Sequence, residues 1–252
     1  MIIDTHGHYG YDYTFHCEFT LESHLTKHET HGCDVTILQP GETHRLEDAR
    51  KEHDDIALAC REHPGTFYGM ANPAPHLQGT QYEDEIKRCV EELGFVGIKL
   101  NTVAGATAPG SKDGMKVFAQ AALHGIPVMV HTGDGPLSHP CSLVPVARKF
   151  DTVKIIMAHA GGKSLGCEVP LVMETCANLY VETSGGSPQA VRQACRREQG
   201  RRAMFGCDHA GRYRQEYAKI AELKLNDEVR ERVLGGTATE VFGLRAQDHR
   251  RQ

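Results

Sequence analysis

The sequence predicts an α/β protein: a (β/α)8 TIM barrel formed by a single domain, residues 1–252. Three observations point there. Short apolar runs rich in β-branched residues occur eight times, segments of helical spacing separate them, and 252 residues suffice for such a barrel with few insertions. Strict strand–helix alternation implies a parallel sheet with right-handed crossovers. Eight units favour closure over an open doubly wound sheet. No Gly-x-Gly-x-x-Gly follows the first strand or any later one, which argues against dinucleotide binding.

The expected strands are residues 1–3, 35–38, 66–71, 96–100, 128–130, 154–157, 179–181 and 203–205. Helical spacing marks residues 46–62, 81–93, 114–123, 168–177 and 188–197, then 212–223 and 227–234 after the eighth strand. Gly32, Gly94 and Gly125 each follow a last periodic residue, as left-handed helix ends require. Thr237 is the expected N-cap of a final helix reaching Phe242.

Composition excludes several function classes. Lys and Arg number 28 against 33 Asp and Glu, a net charge of -5, and no basic stripe suits nucleic acid or an anionic membrane. The nine cysteines are scattered without Cys-x-x-Cys spacing, which suits a reducing compartment better than a disulfide framework. Met1-Ile2-Ile3 leads straight to Asp4, leaving no signal-peptide pattern, and no run approaches the ~18 apolar residues of a membrane span. The expectation is a cytoplasmic protein acting on a small molecule, with neither nucleic acid nor membrane as partner. Homo-oligomer formation stays open.

In such a barrel, chemistry gathers at the C-terminal ends of the strands. Those positions carry His6 and His8, Gln39, Asn72, Lys99 with Asn101, His131, His159, Thr183 and Asp208. His6 and His8 are two apart, so both imidazoles leave one face of an extended segment. With His131 from the far wall and Asp208 from the strand beside the first, they suit one divalent metal: zinc first, or Mn, Fe or Co. An open position would hold water, whose pKa the metal lowers toward about 7. Of the 16 histidines, those placed in helices or loops, among them His24, His28, His31, His53, His63 and His76, are expected to be solvated.

The segments Ile3-Asp4-Thr5-His6-Gly7-His8, Gly94 to Leu100, Val128 to Gly133, Ala158-His159-Ala160-Gly161-Gly162, Phe205-Gly206-Cys207-Asp208 and Leu234 to Leu244 resemble the amidohydrolase superfamily. The branch is amidohydrolase-2, which includes aminocarboxymuconate-semialdehyde-type decarboxylases. The resemblance implies a distorted barrel and one divalent metal, with His6, His8 and His131 as ligands and Asp208 as ligand or general base. It implies that His159 is an acid/base contacting the bound water or substrate. Two departures stand out: Thr237 where the family often has Asn, and Cys207 where a small hydroxyl residue is frequent.

The leading expectation is metal-dependent hydrolysis of a small lactone, ester or amide, with Asp208 and His159 catalytic. The alternative is non-oxidative decarboxylation of a small carboxylic acid, which the same ligands permit. A binuclear site bridged by a carbamylated Lys99 ranks below a Lys99 ammonium that binds a substrate anion or pairs with Asp208. A non-catalytic metal or ligand-binding module is the reading from another class. Tyr9 and Arg212 join Lys99 as expected substrate contacts, Arg212 through a carboxylate fork.

Overall fold

The first strand outruns its apolar residues. In the computed structural model, which describes residues 1–244, β1 runs Ile3–Asp12. Its outer end pairs antiparallel with a short strand absent from the expected set, β2 (Cys17–Phe19). Then come α1 (Leu21–His31), β3 (Val35–Pro40), α2 (Leu46–Glu62), β4 (Phe67–Ala71), α3 (Gln81–Glu91), β5 (Gly97–Leu100) and α4 (Lys112–His124). The second half holds β6 (Val128–His131), α5 (Val144–Lys149), β7 (Ile155–Ala158), α6 (Glu168–Thr175), β8 (Leu179–Glu182), α7 (Pro188–Arg196) and β9 (Ala203–Met204). The helices α8 (Tyr213–Glu222), α9 (Asp227–Glu231) and α10 (Thr237–Phe242) follow. The last eight positions of the expected domain, 245–252, lie outside the described residues.

The sheet order is β2-β1-β3-β4-β5-β6-β7-β8-β9, parallel apart from β2. Between its ends, Thr5 N donates to Phe205 O and His8 N to Asp208 O, both at 3.0 Å. The barrel therefore closes beside the His6–His8 segment. Ile3, Val35, Ile37, Met70, Met129, Ile156 and Met204 fill its interior, while a larger apolar layer packs helices onto its outside. Period-two alternation then aims the next inward positions, at the strand ends, over this plug.

Of helix α1 the sequence marks only the stop at Gly32, because its packed face mixes the fully buried His24 and Lys27 with partly buried Leu21 and Leu25. Its ends are nonetheless conventional, with Thr20 Oγ1 accepting from Ser23 N and Gly32 left-handed at φ 69°. Thr237 is not an N-cap, because the residue before it, Gly236, is already helical (φ -59°, ψ -48°). A π-helical turn over Arg232–Gly236 runs directly into α10, and the Thr237 hydroxyl donates to Gly200 O at 2.9 Å. No helix among the described residues is long and apolar enough to cross a membrane.

Candidate active site

An irregularity in β1 aims the two histidines. Asp4 pairs with Thr36 and Gly7 with Leu38, so β1 carries one extra residue against β3. Ile3 faces the barrel interior, and without the extra residue His6 would share Asp4's outward face. With it, His6 turns inward while Asp4 points toward α1. Gly7, between the histidines, packs tightly: a Cβ there would lie 2.6 Å from Thr36 Cγ2 and 2.8 Å from His24 Cε1.

His6 Nε2 lies 3.2 Å from His8 Nε2 and 3.5 Å from Asp208 Oδ1, and His8 Nε2 is 3.6 Å from the same oxygen. Two imidazole nitrogens and a carboxylate oxygen thus converge as a cation-sized set. His131 stands apart from this cluster. Its ring packs against His159 at 4.7 Å between centroids, and its buried Nε2 has no hydrogen-bond partner among the described residues. Lys99, buried at the end of β5, brings Nζ to 2.8 Å from His6 Nε2.

Glu182, closing β8, is the residue the sequence reading missed. Its Oε2 lies 2.9 Å from His6 Nδ1 and accepts from the Ser184 hydroxyl at 2.9 Å and from His159 N at 3.2 Å. The signal was present: Tyr180 packs on the interior core, so period two sends Glu182 inward and Thr183 outward. Because Ser184 donates its only proton to Glu182, it accepts from His159 Nδ1 at 3.0 Å. His159 Nε2 is then the unprotonated nitrogen.

Electrostatics favour one set of charge states. Burial, then Lys99, holds His6 well below the usual imidazole range. Burial and the neighbouring imidazoles lower His159 to about 3 and His131 to about 2. Burial lowers Lys99 to about 8 against the pull of Asp208, Glu182 and Glu42. Burial opposes ionisation of Asp208, but His6, His159, His8 and Lys99 hold its carboxyl far below the ordinary value. Neutral imidazoles and an ionised carboxylate are the states a cation needs. Asp208 (φ 71°) and His159 (φ 66°) both sit in the left-handed region, a strain that concentrates at functional sites.

These residues floor a cavity of about 460 Å³, which His8, His131, His159, Asp208 and Arg212 line together with Lys163, Phe15 and Phe19. Arg212 Nη1 is 3.1 Å from Asp208 Oδ2. Tyr9, on the other face of β1 from His8, lines a neighbouring 250 Å³ groove with Tyr11, Tyr13 and Glu52. Three of the histidines expected to be solvated are not. His24 and His53 are fully buried and His28 partly so, each hydrogen-bonded to polar groups that a scan for apolar periodicity passes over.

Fold and site together define a barrel enzyme. The chain belongs to the amidohydrolase family, whose model matches residues 3–244. No curated protein matches it in sequence. Among solved structures, 5-carboxyvanillate decarboxylase from Sphingomonas paucimobilis superposes with a TM-score of 0.76 at 15% identity, covering 97% of this chain and 99% of that one. For 2,6-dihydroxybenzoate decarboxylase from Rhizobium the values are 0.76 and 16%, over 96% and 98% of the chains. A 5-carboxyvanillate decarboxylase from Novosphingobium aromaticivorans, complexed with manganese and a nitrobenzoic acid, gives 0.76 and 16%, over 97% and 96%. These neighbours correct the expectation of hydrolysis: the three are decarboxylases matched over nearly their full length, and the ligand pattern behind that expectation is common to both reactions.

Proposed function

We propose that this protein is a metal-dependent, non-oxidative decarboxylase of a small aromatic carboxylic acid. The observation that carries the reading is the convergence of His6, His8 and Asp208 beside a cavity lined by His8, Asp208, Arg212 and two phenylalanines. The substrates named for those structural neighbours, carboxylated phenols, supply the reaction class.

One divalent cation fits the donor set, and the partnerless Nε2 of His131 is a fourth donor in the same cavity. His6, His8, His131 and Asp208 would hold it. Manganese, present in neighbouring structures, displaces zinc as the first choice. When bound, the cation supplies a Lewis acid that orients and polarises a substrate oxygen. The chain's own groups do the rest. Arg212 and Lys99 bring positive charge to the substrate's anionic oxygens, and Phe15 and Phe19 wall its ring. The bond from ring carbon to carboxylate breaks, its electron pair stays on the ring, CO2 leaves, and the carbon takes a proton. His159 Nε2, fixed in its tautomer by Ser184, is the nitrogen through which that proton moves. Asp208 stays ionised as ligand or base.

The test is turnover of hydroxylated benzoates by manganese-loaded protein in D2O and in oxygen-18 water. CO2 release with one deuterium on the ring and no label from water in the product supports the reading. Incorporation of water oxygen without CO2 would overturn it. A solvated homo-oligomer acting on a small molecule, with no nucleic acid or membrane partner, is the accompanying proposal.

A further inference from the structure

We infer that Lys27 is a positioning residue that holds the backbone carrying His6, His8 and Asp208, a role that rests on the cation site proposed above. Lys27 lies on α1, has no place in the cavity, and is buried with 2% exposure. Its ammonium has three N–H groups, and each has a partner: Asp4 Oδ2 at 2.6 Å, Thr36 Oγ1 at 2.7 Å and His24 Nδ1 at 3.3 Å. A buried ammonium persists only when paired and hydrogen-bonded, so this geometry is strongly specified.

From that nitrogen the network reaches all three donors. Asp4 Oδ1 accepts from His6 N at 3.1 Å and from Cys207 N at 3.0 Å, and the Cys207 thiol donates to Asp4 Oδ2 at 2.7 Å. One carboxylate thereby clips the irregular turn of β1 to the residue preceding Asp208. Because His24 Nδ1 accepts from Lys27, His24 Nε2 carries the proton and donates to His8 O at 2.8 Å. His24 and Thr36 also form the surface against which Gly7 packs. The extra residue that turns His6 inward is thus held from outside the barrel, by a lysine contacting none of the donor side chains. Cys207, a departure from the family's frequent hydroxyl, takes part as a donor to Asp4.

Groups that orient metal-binding residues from behind typically change affinity 10–100-fold when lost. The experiment compares Mn2+ binding by calorimetry, and the Mn2+ EPR spectrum, for the unaltered protein, Lys27→Met and His24→Leu. Near-UV circular dichroism reports folding. His24→Leu leaves the Asp4–Lys27 pair intact, so it answers the question even where Lys27→Met does not fold. Folded variants that bind Mn2+ about 10-fold or more weaker, with an altered spectrum, support the inference. Wild-type affinity and spectrum in a folded Lys27→Met, or in His24→Leu should Lys27→Met not fold, overturn it. No Mn2+ binding by the unaltered protein would instead overturn the metal reading, and this inference with it.

Discussion

Glu182 Oε2 sits 2.9 Å from His6 Nδ1, and the same oxygen accepts from the hydroxyl of Ser184, which in turn receives His159 Nδ1. One buried carboxylate therefore fixes the tautomers of two imidazoles, His159 lining the cavity and His6 buried beneath His8 and Asp208. Burial pushes this carboxyl up from its ordinary value, while contacts from His159 and Ser184 restrain the rise. Glu182→Gln preserves shape but exchanges one acceptor oxygen for a donor. The variant is expected to fold and to bind Mn2+ about 10–100-fold more weakly, as a calorimetric titration would show. Unchanged affinity would mean that His6 is oriented by the backbone alone.

Gly7 offers a second probe of the same corner. An alanine methyl would overlap Thr36 and His24, and neither has room to retreat, because both are buried and hydrogen-bonded to Lys27. Overpacking of this kind typically costs about 1–3 kcal/mol. Gly7→Ala should therefore lower the urea midpoint and weaken Mn2+ binding together. Loss of stability with intact metal affinity would separate the packing role from the aiming role.

Such residues explain what the sequence made legible. Apolar runs recur at each expected barrel strand; His131 closes β6, and His159 and Asp208 follow β7 and β9, but His6 and His8 lie within the longer β1, and simple alternation does not foretell the extra residue that turns His6 inward. Only the end of helix α1, at Gly32, was marked in the sequence, because the residues the helix buries fully, His24 and Lys27, are polar and interrupt the apolar period. Glu182 was passed over for Thr183, one residue on, where only the inward direction of Tyr180 distinguishes the two faces. Reaction type was illegible for a different reason: the donors that hold a cation are common to hydrolysis and decarboxylation.

A buried cluster outside the cavity sets an acid limit. Burial alone would raise the Glu85 carboxyl, but hydrogen bonds from His53, Arg88 and Arg50 outweigh it and hold the group at about 2, against an ordinary 4.5. A lowered acid contributes stability above its unfolded pKa and loses it as pH falls through the folded value. The contribution is thus complete above pH 4.5 and gone below pH 2. Allowing for screening by solvent, it is roughly 2 kcal/mol. Thermal melts of Glu85→Gln should start from a lower Tm at pH 6 and show a shallower fall between pH 4.5 and pH 2 than the unaltered protein. The cluster also holds the end of β4, since His53 Nε2 accepts from Asn72 N at 3.0 Å.

Arg212 tests substrate recognition directly. Its guanidinium lines the cavity while spanning two carboxylates, Asp208 Oδ2 at 3.1 Å and Glu216 Oε1 at 3.4 Å. Those partners hold the planar group in place before substrate arrives, which limits the ordering cost of binding an anion. Charge-assisted hydrogen bonds contribute about 1.5–3 kcal/mol. Arg212→Met should thus raise KM for a carboxylate substrate about 10–100-fold with a smaller change in kcat. Arg212→Lys restores the charge without the fork and should recover only part of the loss. The competing role, in which Arg212 serves only to hold Asp208, predicts weaker Mn2+ binding and an unchanged KM at saturating metal. Steady-state kinetics at two metal concentrations separates the two.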